Sequence, residues 1–351
     1  MTEKNTVNQA LIGTGAWSGS VGDAMMKSSR VNLVTCFDPI QDKRTAFSKR
    51  FGCDHEKSYK DVLKRDDIDG LHLATPNHLH AEQTLLAAEH GKHVFVEKPI
   101  ANTLSDGRKM IDACQKAGVI LMVGQHLRRL TGIRKLKEMI EAGAIGNPIQ
   151  IEGNYSQNLG FALTPESFRW RGDDSGCPAG SLMTMGIHHA DVFNYLFGPI
   201  KTVFSYFNKL YIPAPVDDVT TTVFQYKTGV LGYLGSNYAS PKAVWFYVYG
   251  TEANLLCTIT PPELPFEEYL LWWQQVDQDT DVQIFEKGKT GSTTVPLALG
   301  NPIVEEIDEF ADCILTGARP ETDGKGALSA LAFIRAAIES SQSGQQAILE
   351  A

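Results

Sequence analysis

Ile12-Gly13-Thr14-Gly15-Ala16-Trp17-Ser18-Gly19 closes the strand-like run that begins at Val7. A run ending in two glycines one residue apart predicts a buried strand that turns sharply into a helix, here reaching to about Ser29. Gly13 permits the tight turn, and Gly15 lets the backbone approach a pyrophosphate set at the helix N-terminus. The third small position is Ser18 rather than glycine, with Gly19 beside it; serine still allows close packing of helix on strand. A second run, Val31 to Phe37, ends at Asp38-Pro39, which puts Asp38 20 residues past Ser18. A dinucleotide site carries its ribose-binding acid at about this distance. A carboxylate there repels a 2′-phosphate, so NAD is expected over NADP, with Lys43 and Arg44 as the nearby cations that leave NADP open.

Outward from this turn the chain keeps alternating. Gln41 to Phe51 suits a helix, and Gly70 to Ala74 suits a buried strand ending in Thr75-Pro76-Asn77. His78 to His90 reads as a helix closed by Gly91. Lys92 to Val96 reads as a strand ending in Glu97-Lys98-Pro99. Thr103 to Ala117 is a helix with a capping-box start at Thr103 and Asp106 and a stop at Gly118, and Ile120 to Val123 is a further strand. Alternation of this kind implies a doubly wound parallel sheet with helices on both faces, a Rossmann-type domain. The strand ends at 13–15, 75–77 and 97–99 then face one crevice. Pro99 stops its strand, because proline has no N–H for the sheet, and so Lys98 is held at the carboxyl edge where such sheets bind ligands. A lysine near the interior needs a partner, and Glu97 or a reacting oxygen can serve. Read without its surroundings, Glu97-Lys98 is a surface ion pair of little worth.

The 351 residues suggest two domains, expected at 1–127 and 128–351. A net charge of −9 argues against nucleic acid or an anionic membrane as the main partner. The six cysteines are scattered without C-x-x-C spacing, which indicates neither zinc nor a disulfide framework. Residues 1–6 are polar and lack the charged-then-apolar order of a secretory leader, and no apolar run approaches the ~18 residues of a membrane span. The expected location is cytoplasmic.

After Gln125-His126-Leu127-Arg128-Arg129 the pattern changes. Thr131 to Ala142 is an amphipathic helix ended by Gly143. Strand-like runs follow at 149–157, 202–211, 218–226, 230–238, 244–249 and 254–259, with Lys227-Thr228-Gly229 as a hairpin turn. Runs of strands separated by turns suggest an α+β domain built on an open antiparallel meander. Ile307, Phe310 and Ile314 line one late helix, and Leu331, Ile334 and Ile338 another.

Ala74-Thr75-Pro76-Asn77-His78-Leu79-His80, followed by Gly91-Lys92-His93-Val94-Phe95-Val96-Glu97-Lys98-Pro99, resembles the glucose–fructose oxidoreductase/inositol dehydrogenase (Gfo/Idh/MocA) family. The resemblance covers nearly the whole chain. It implies an NAD(P)-dependent oxidoreductase acting on a secondary alcohol of a sugar, cyclitol or related polyol. It also implies a second domain used in oligomer contacts, hence a homodimer or homotetramer, and it assigns Lys98 as catalytic. The cofactor is expected at Gly13, Gly15, Ala16, Trp17, Ser18, Asp38 and Arg44. Thr75, Pro76, Asn77, His80, Glu97, Lys98 and Gln125 complete that set.

The second half of the expected site lies in Ala179-Gly180-Ser181-Leu182-Met183-Thr184-Met185-Gly186-Ile187-His188-His189-Ala190-Asp191. On one helix, Thr184, His188 and Asp191 share a face. A metal held by His188 and Asp191 has no evident third ligand, so none is expected. The family pattern here is Gly-Gly-x-Leu-x-Asp-x-Gly-x-His-x-x-Asp. His188 matches its catalytic histidine, while Thr184 stands where the family has its aspartate. Oxidising a secondary alcohol removes a hydroxyl proton as hydride leaves carbon. A histidine with pKa near ~6.5 can take that proton, and Lys98 can donate to the same oxygen. The expectation is a Lys98–His188 dyad with Thr184 orienting substrate. Arg128, Asn154, Gln157, Trp170 and Arg171 are the further substrate candidates, and Asp191 is expected to orient or cap within the fold. The rival readings are a non-catalytic NAD-binding regulator and a glycosidase that oxidises its sugar transiently with retained NAD.

Overall fold

The structure is a computed structural model that describes residues 5–164, 169–172 and 176–349. In chain order its elements begin β1 (Val7–Ile12), α1 (Ala16–Lys27), β2 (Val31–Phe37), α2 (Gln41–Phe51), β3 (Asp54–His55), α3 (Tyr59–Leu63), β4 (Gly70–Leu73), α4 (His80–Glu89), β5 (His93–Glu97), α5 (Leu104–Ala117) and β6 (Leu121–Gly124). There follow α6 (Thr131–Glu141), β7 (Pro148–Ser156), α7 (Ile187–Phe197), β8 (Ile200–Asn208), β9 (Val219–Tyr226), β10 (Leu231–Asn237), β11 (Ala243–Gly250) and β12 (Ala253–Ile259). The chain ends with α8 (Phe266–Trp272), β13 (Thr280–Glu286), β14 (Thr293–Thr294), α9 (Pro302–Thr316), α10 (Gly324–Ser343) and β15 (Ala347–Ile348).

Two compact units result. The first comprises Met1–His126, Glu263–Gln274 and Asn301–Leu328; the second comprises Leu127–Pro262, Gln275–Gly300 and Ser329–Ala351. The first therefore takes back two segments from the region that the sequence reading gives wholly to a second domain. The reason is apolar surface: Phe310 of α9 packs edge-on against Phe95 of β5, at 5.7 Å between ring centroids, with Met122 of β6 in the same cluster.

The first unit holds a six-stranded sheet in the order β3-β2-β1-β4-β5-β6, every neighbouring pair parallel. Its strand order reverses between β1 and β4, which makes their carboxyl ends the switch point where ligands collect. The helix signals work as written in α5. The Thr103 side chain accepts from Asp106 N–H at 3.1 Å, and Gly118 closes the helix at φ 69°.

The second unit holds a nine-stranded sheet in the order β14-β13-β12-β11-β7-β10-β9-β8-β15. It is mostly antiparallel, as expected, with β7 and β10 as a parallel pair that the meander does not include. A parallel neighbour needs a crossover rather than a hairpin, and the chain leaving β7 passes through α7 before it returns. On β7, Gly153 faces α7, where the absence of a Cβ makes room for the His189 and Phe193 rings. Strand alternation then turns Ile151, Tyr155 and Gln157 toward that helix, and Gln150, Glu152 and Asn154 to the opposite face.

Candidate active site

In the first unit the glycine turn is as the sequence requires. Gly13 has φ 90°, and a Cβ on it would lie 2.7 Å from the Ala74 carbonyl oxygen. Gly15 is the N-cap of α1, has no side-chain cap, and a Cβ there would meet nothing within 4 Å. An open, uncapped helix N-terminus leaves its N–H groups free for a pyrophosphate. Ser18 is buried and donates to the Gly15 carbonyl at 2.5 Å, which fixes the turn from within. Asp38 accepts from Thr14 N–H and from Ile40 N–H, each at 2.9 Å, so the acid is locked against the glycine turn with lone pairs to spare for ribose hydroxyls. Arg44 departs from expectation: its Nη1 donates to the Asp38 and Pro39 carbonyls at 3.1 and 3.3 Å, behind the turn.

The other strand ends divide between support and open polar groups. His80 is fully buried, with Nδ1 2.9 Å from the Pro99 carbonyl and Nε2 3.0 Å from that of Thr75. It therefore clamps the two loops together rather than facing cofactor, and burial lowers its pKa against the pull of both carbonyls. Thr75 donates to Gln83 Oε1 at 2.6 Å. Glu97 also turns inward: its Oε1 accepts from the Trp17 indole at 2.7 Å and lies 3.2 Å from His72 Nε2. Burial alone would raise this carboxyl, but His72 and Trp17 outweigh it and hold it below its ordinary range. Trp17 stacks on His126 at 5.5 Å, so the glycine loop is tied across to the Glu97 strand end. Lys98 is half-buried and joined to Pro99 by a cis peptide bond. Two buried amides complete this edge: neither Gln125 Nε2 nor Oε1, nor Asn77 Nδ2, has a hydrogen-bond partner. Orphaned amides beside an uncapped helix end fit a nucleotide that carries its own donors and acceptors. A nucleotide bound at this edge would meet Gly13, Gly15, Asp38, Asn77 and Gln125.

In the second unit the helix expected from Ser181 begins as a π turn, Leu182–Gly186, before α7. Such wide turns are rare and are frequent at functional sites. Thr184 lies in that turn and donates to the Gly180 carbonyl at 3.1 Å, and its hydroxyl also contacts the Tyr238 hydroxyl in a very short hydrogen bond. His188 follows one turn later and is buried. Arg128 is not left to substrate. Its Nε and Nη2 grip Asp191 at 2.7 and 2.5 Å, both groups buried, with the guanidinium over the Tyr195 ring. The partner of Asp191 is thus Arg128, a pairing that the sequence does not show. Asn154 lies on the sheet face away from α7, where it donates to the Ala243 carbonyl at 2.9 Å. Gln157 has the opposite parity and reaches Met185 in the π turn. The Arg171 guanidinium sits over the Trp170 ring at 4.4 Å, and its charge acts on Tyr238. Tyr238 escapes the sequence reading, because only the parallel pairing of β7 with β10 reveals what its strand end adjoins. Among the described residues, no three His, Cys, Asp or Glu side chains gather as metal ligands.

Comparison with known proteins adds two family matches. Residues 7–125 match the model described as "Oxidoreductase family, NAD-binding Rossmann fold", and residues 133–256 match the "GFO/IDH/MocA C-terminal domain". The chain is 32% identical over 193 residues to the 2,7-anhydro-N-acetylneuraminate hydratase of Mediterraneibacter gnavus, covering 55% of this chain and 50% of that one. It thus spans about half the length of that relative. It is 26% identical over 296 residues to the 1,5-anhydro-D-fructose reductase of Ensifer adhaerens, covering 84% and 83%. A crystal structure from Desulfitobacterium hafniense, provisionally described as an NADPH-dependent oxidoreductase, superposes with TM-score 0.92 at 30% identity over 98% of both chains.

Proposed function

Because the chain belongs to the Gfo/Idh/MocA family of NAD-binding oxidoreductases, we propose that it oxidises a secondary hydroxyl of a sugar, cyclitol or glycoside, or reduces the matching carbonyl. One observation carries the reading. The parallel sheet gathers the uncapped α1 N-terminus, the locked Asp38, two orphaned amides and Lys98 at its carboxyl edge. NAD, when bound, supplies the hydride acceptor. The chain does the rest. Lys98 donates to the reacting oxygen and stabilises alkoxide character. His188 takes the hydroxyl proton, and Thr184 orients the substrate without contributing charge. Asp38 favours NAD over NADP, since Arg44 is tied to backbone carbonyls. The partner proposed is a second copy of the chain. Six buried cysteines with no C-x-x-C spacing support the cytoplasmic location proposed, and among the described residues no helix is long and apolar enough to cross a membrane.

The test is formation of reduced nicotinamide across inositols, free sugars, anhydro sugars and glycosides, with NADP as control. Lys98→Ala and His188→Asn should each lower kcat by about 10²–10⁴-fold while NADH still binds. Near-normal turnover in either variant would remove that residue from the mechanism. A relative named for adding water favours a second reading, transient oxidation by retained NAD. The same assay separates the two, because that chemistry consumes sugar without accumulating NADH.

A further inference from the structure

Gln157 and Tyr238 directly follow β7 and β10, the parallel pair of the second sheet, and Gln157 N–H donates to the Asn237 carbonyl at 3.0 Å. Gln157 is 6% exposed, its Oε1 has no hydrogen-bond partner, and its Nε2 faces the Met185 thioether, a weak acceptor. A buried amide left this way destabilises the protein unless something else completes it. Tyr238 is 3% exposed and meets Thr184. Thr184 has one hydroxyl proton, and the Gly180 carbonyl can only accept it. Both bonds close together only if Tyr238 is the donor. The Tyr238 oxygen is then left with lone pairs and no proton to give, while Gln157 offers N–H donors and a carbonyl oxygen. The three side chains are themselves uncharged, with the Arg171 guanidinium the charge that acts on Tyr238, and they complement a hydroxyl that both donates and accepts.

We propose that Gln157 and Tyr238 form a subsite for a sugar hydroxyl that is not the one oxidised, and that Thr184 positions Tyr238 by fixing its proton. This subsite rests on the sugar-oxidoreductase reading above. It sets specificity through binding, so its loss falls on KM. Gln157→Leu and Tyr238→Phe should each raise the sugar KM about tenfold, change kcat less than about threefold, and leave the KM for NAD unchanged. Thr184→Ser should keep the wild-type sugar KM, whereas Thr184→Val should behave like Tyr238→Phe. Among monodeoxy analogues of the best substrate, one should abolish the difference between wild type and Gln157→Leu. Ligand-free Gln157→Leu should melt no lower than wild type, because it removes an unsatisfied amide. An unchanged sugar KM, or a raised KM with a lowered Tm, would overturn the subsite and leave the enzymatic reading intact. If wild type binds NADH but turns over no sugar, the enzymatic reading fails, and thermal protection by levoglucosan, glucose and myo-inositol decides the subsite. Protection of the wild-type NADH complex that Gln157→Leu loses would uphold it; equal protection, or none in either, would overturn it.

Discussion

His189 is the next residue after the histidine assigned to proton transfer, and its surroundings keep it out of any such role. Its ring lies flat on Phe246 at 4.0 Å and edge-on to Phe193 at 6.0 Å, and it is fully buried. Its Nε2 lies 3.3 Å from the Trp245 carbonyl. Burial pushes its pKa down to about 3, against the smaller pull of that carbonyl. The folded group stays neutral while the unfolded one protonates near ~6.5. Between those values the unfolded chain binds the extra proton, so stability falls as pH drops, by up to ~1.4 kcal/mol per pH unit for this group. His126, also pushed down to about 3 by burial, acts in the same direction in the first unit. Urea unfolding measured between about pH 4 and 7 should therefore show a shallower pH slope for His189→Phe, whatever its absolute stability. An unchanged slope would mean that His189 is not held neutral. At this scale the sequence shows which residue types can do chemistry, but not always where they point. Gly13, Gly15 and Asp38 are legible because a turn and a spacing define them. Asn154 and Gln157 differ only in strand parity, and the Arg128–Asp191 pair joins positions 63 apart in the chain, so neither arrangement can be read locally.

Elements with a strong period or a clear stop are legible end to end: β1, β2 and α2 occupy the ranges their residues suggest. The short β3 and α3 are not, because so few residues carry no period. Helix α9 is the instructive case. Its apolar stripe of Ile307, Phe310 and Ile314 is plain in the sequence, yet nothing local says which sheet it covers. Phe310 closes the cluster with Phe95 and Met122, and Gly70 lets its ring approach β4, where a Cβ would lie only 3.1 Å from Phe310. Two consequences follow for the first unit. Phe310→Ala should cost about 3–5 kcal/mol in chemical unfolding. A fragment of residues 1–127, which lacks α8 and α9, should leave Phe95 and Met122 uncovered and fail to unfold cooperatively or bind NADH. A fragment that folded and bound NADH would show that the returning helices are dispensable.

For the whole molecule, the face of the nine-stranded sheet that carries Asn154 leaves several apolar side chains exposed. Tyr206 is 70% exposed, Val223 49% and Leu231 53%, and strand register puts all three on that face. Tyr247 packs beside Tyr249 at 4.5 Å and Phe285 at 6.0 Å, farther across the same face. Contiguous apolar patches beyond a few hundred Å² are uncommon on soluble monomers and mark association surfaces. Strand alternation explains how the sequence allows this: every second residue of a strand faces outward, and here many of those positions are aromatic rather than charged. Because the patch is made by one chain, a second copy can present the same patch about a two-fold axis, each residue meeting its symmetry equivalents. Light scattering on the chromatographed protein at micromolar concentration should therefore read a multiple of the chain mass. Tyr206→Glu combined with Tyr247→Glu buries unpaired charge in that contact and should yield monomers that still melt cooperatively and bind NADH, since neither side chain belongs to the first unit. A wild-type monomer at that concentration, or a double variant with unchanged mass, would place the contact elsewhere.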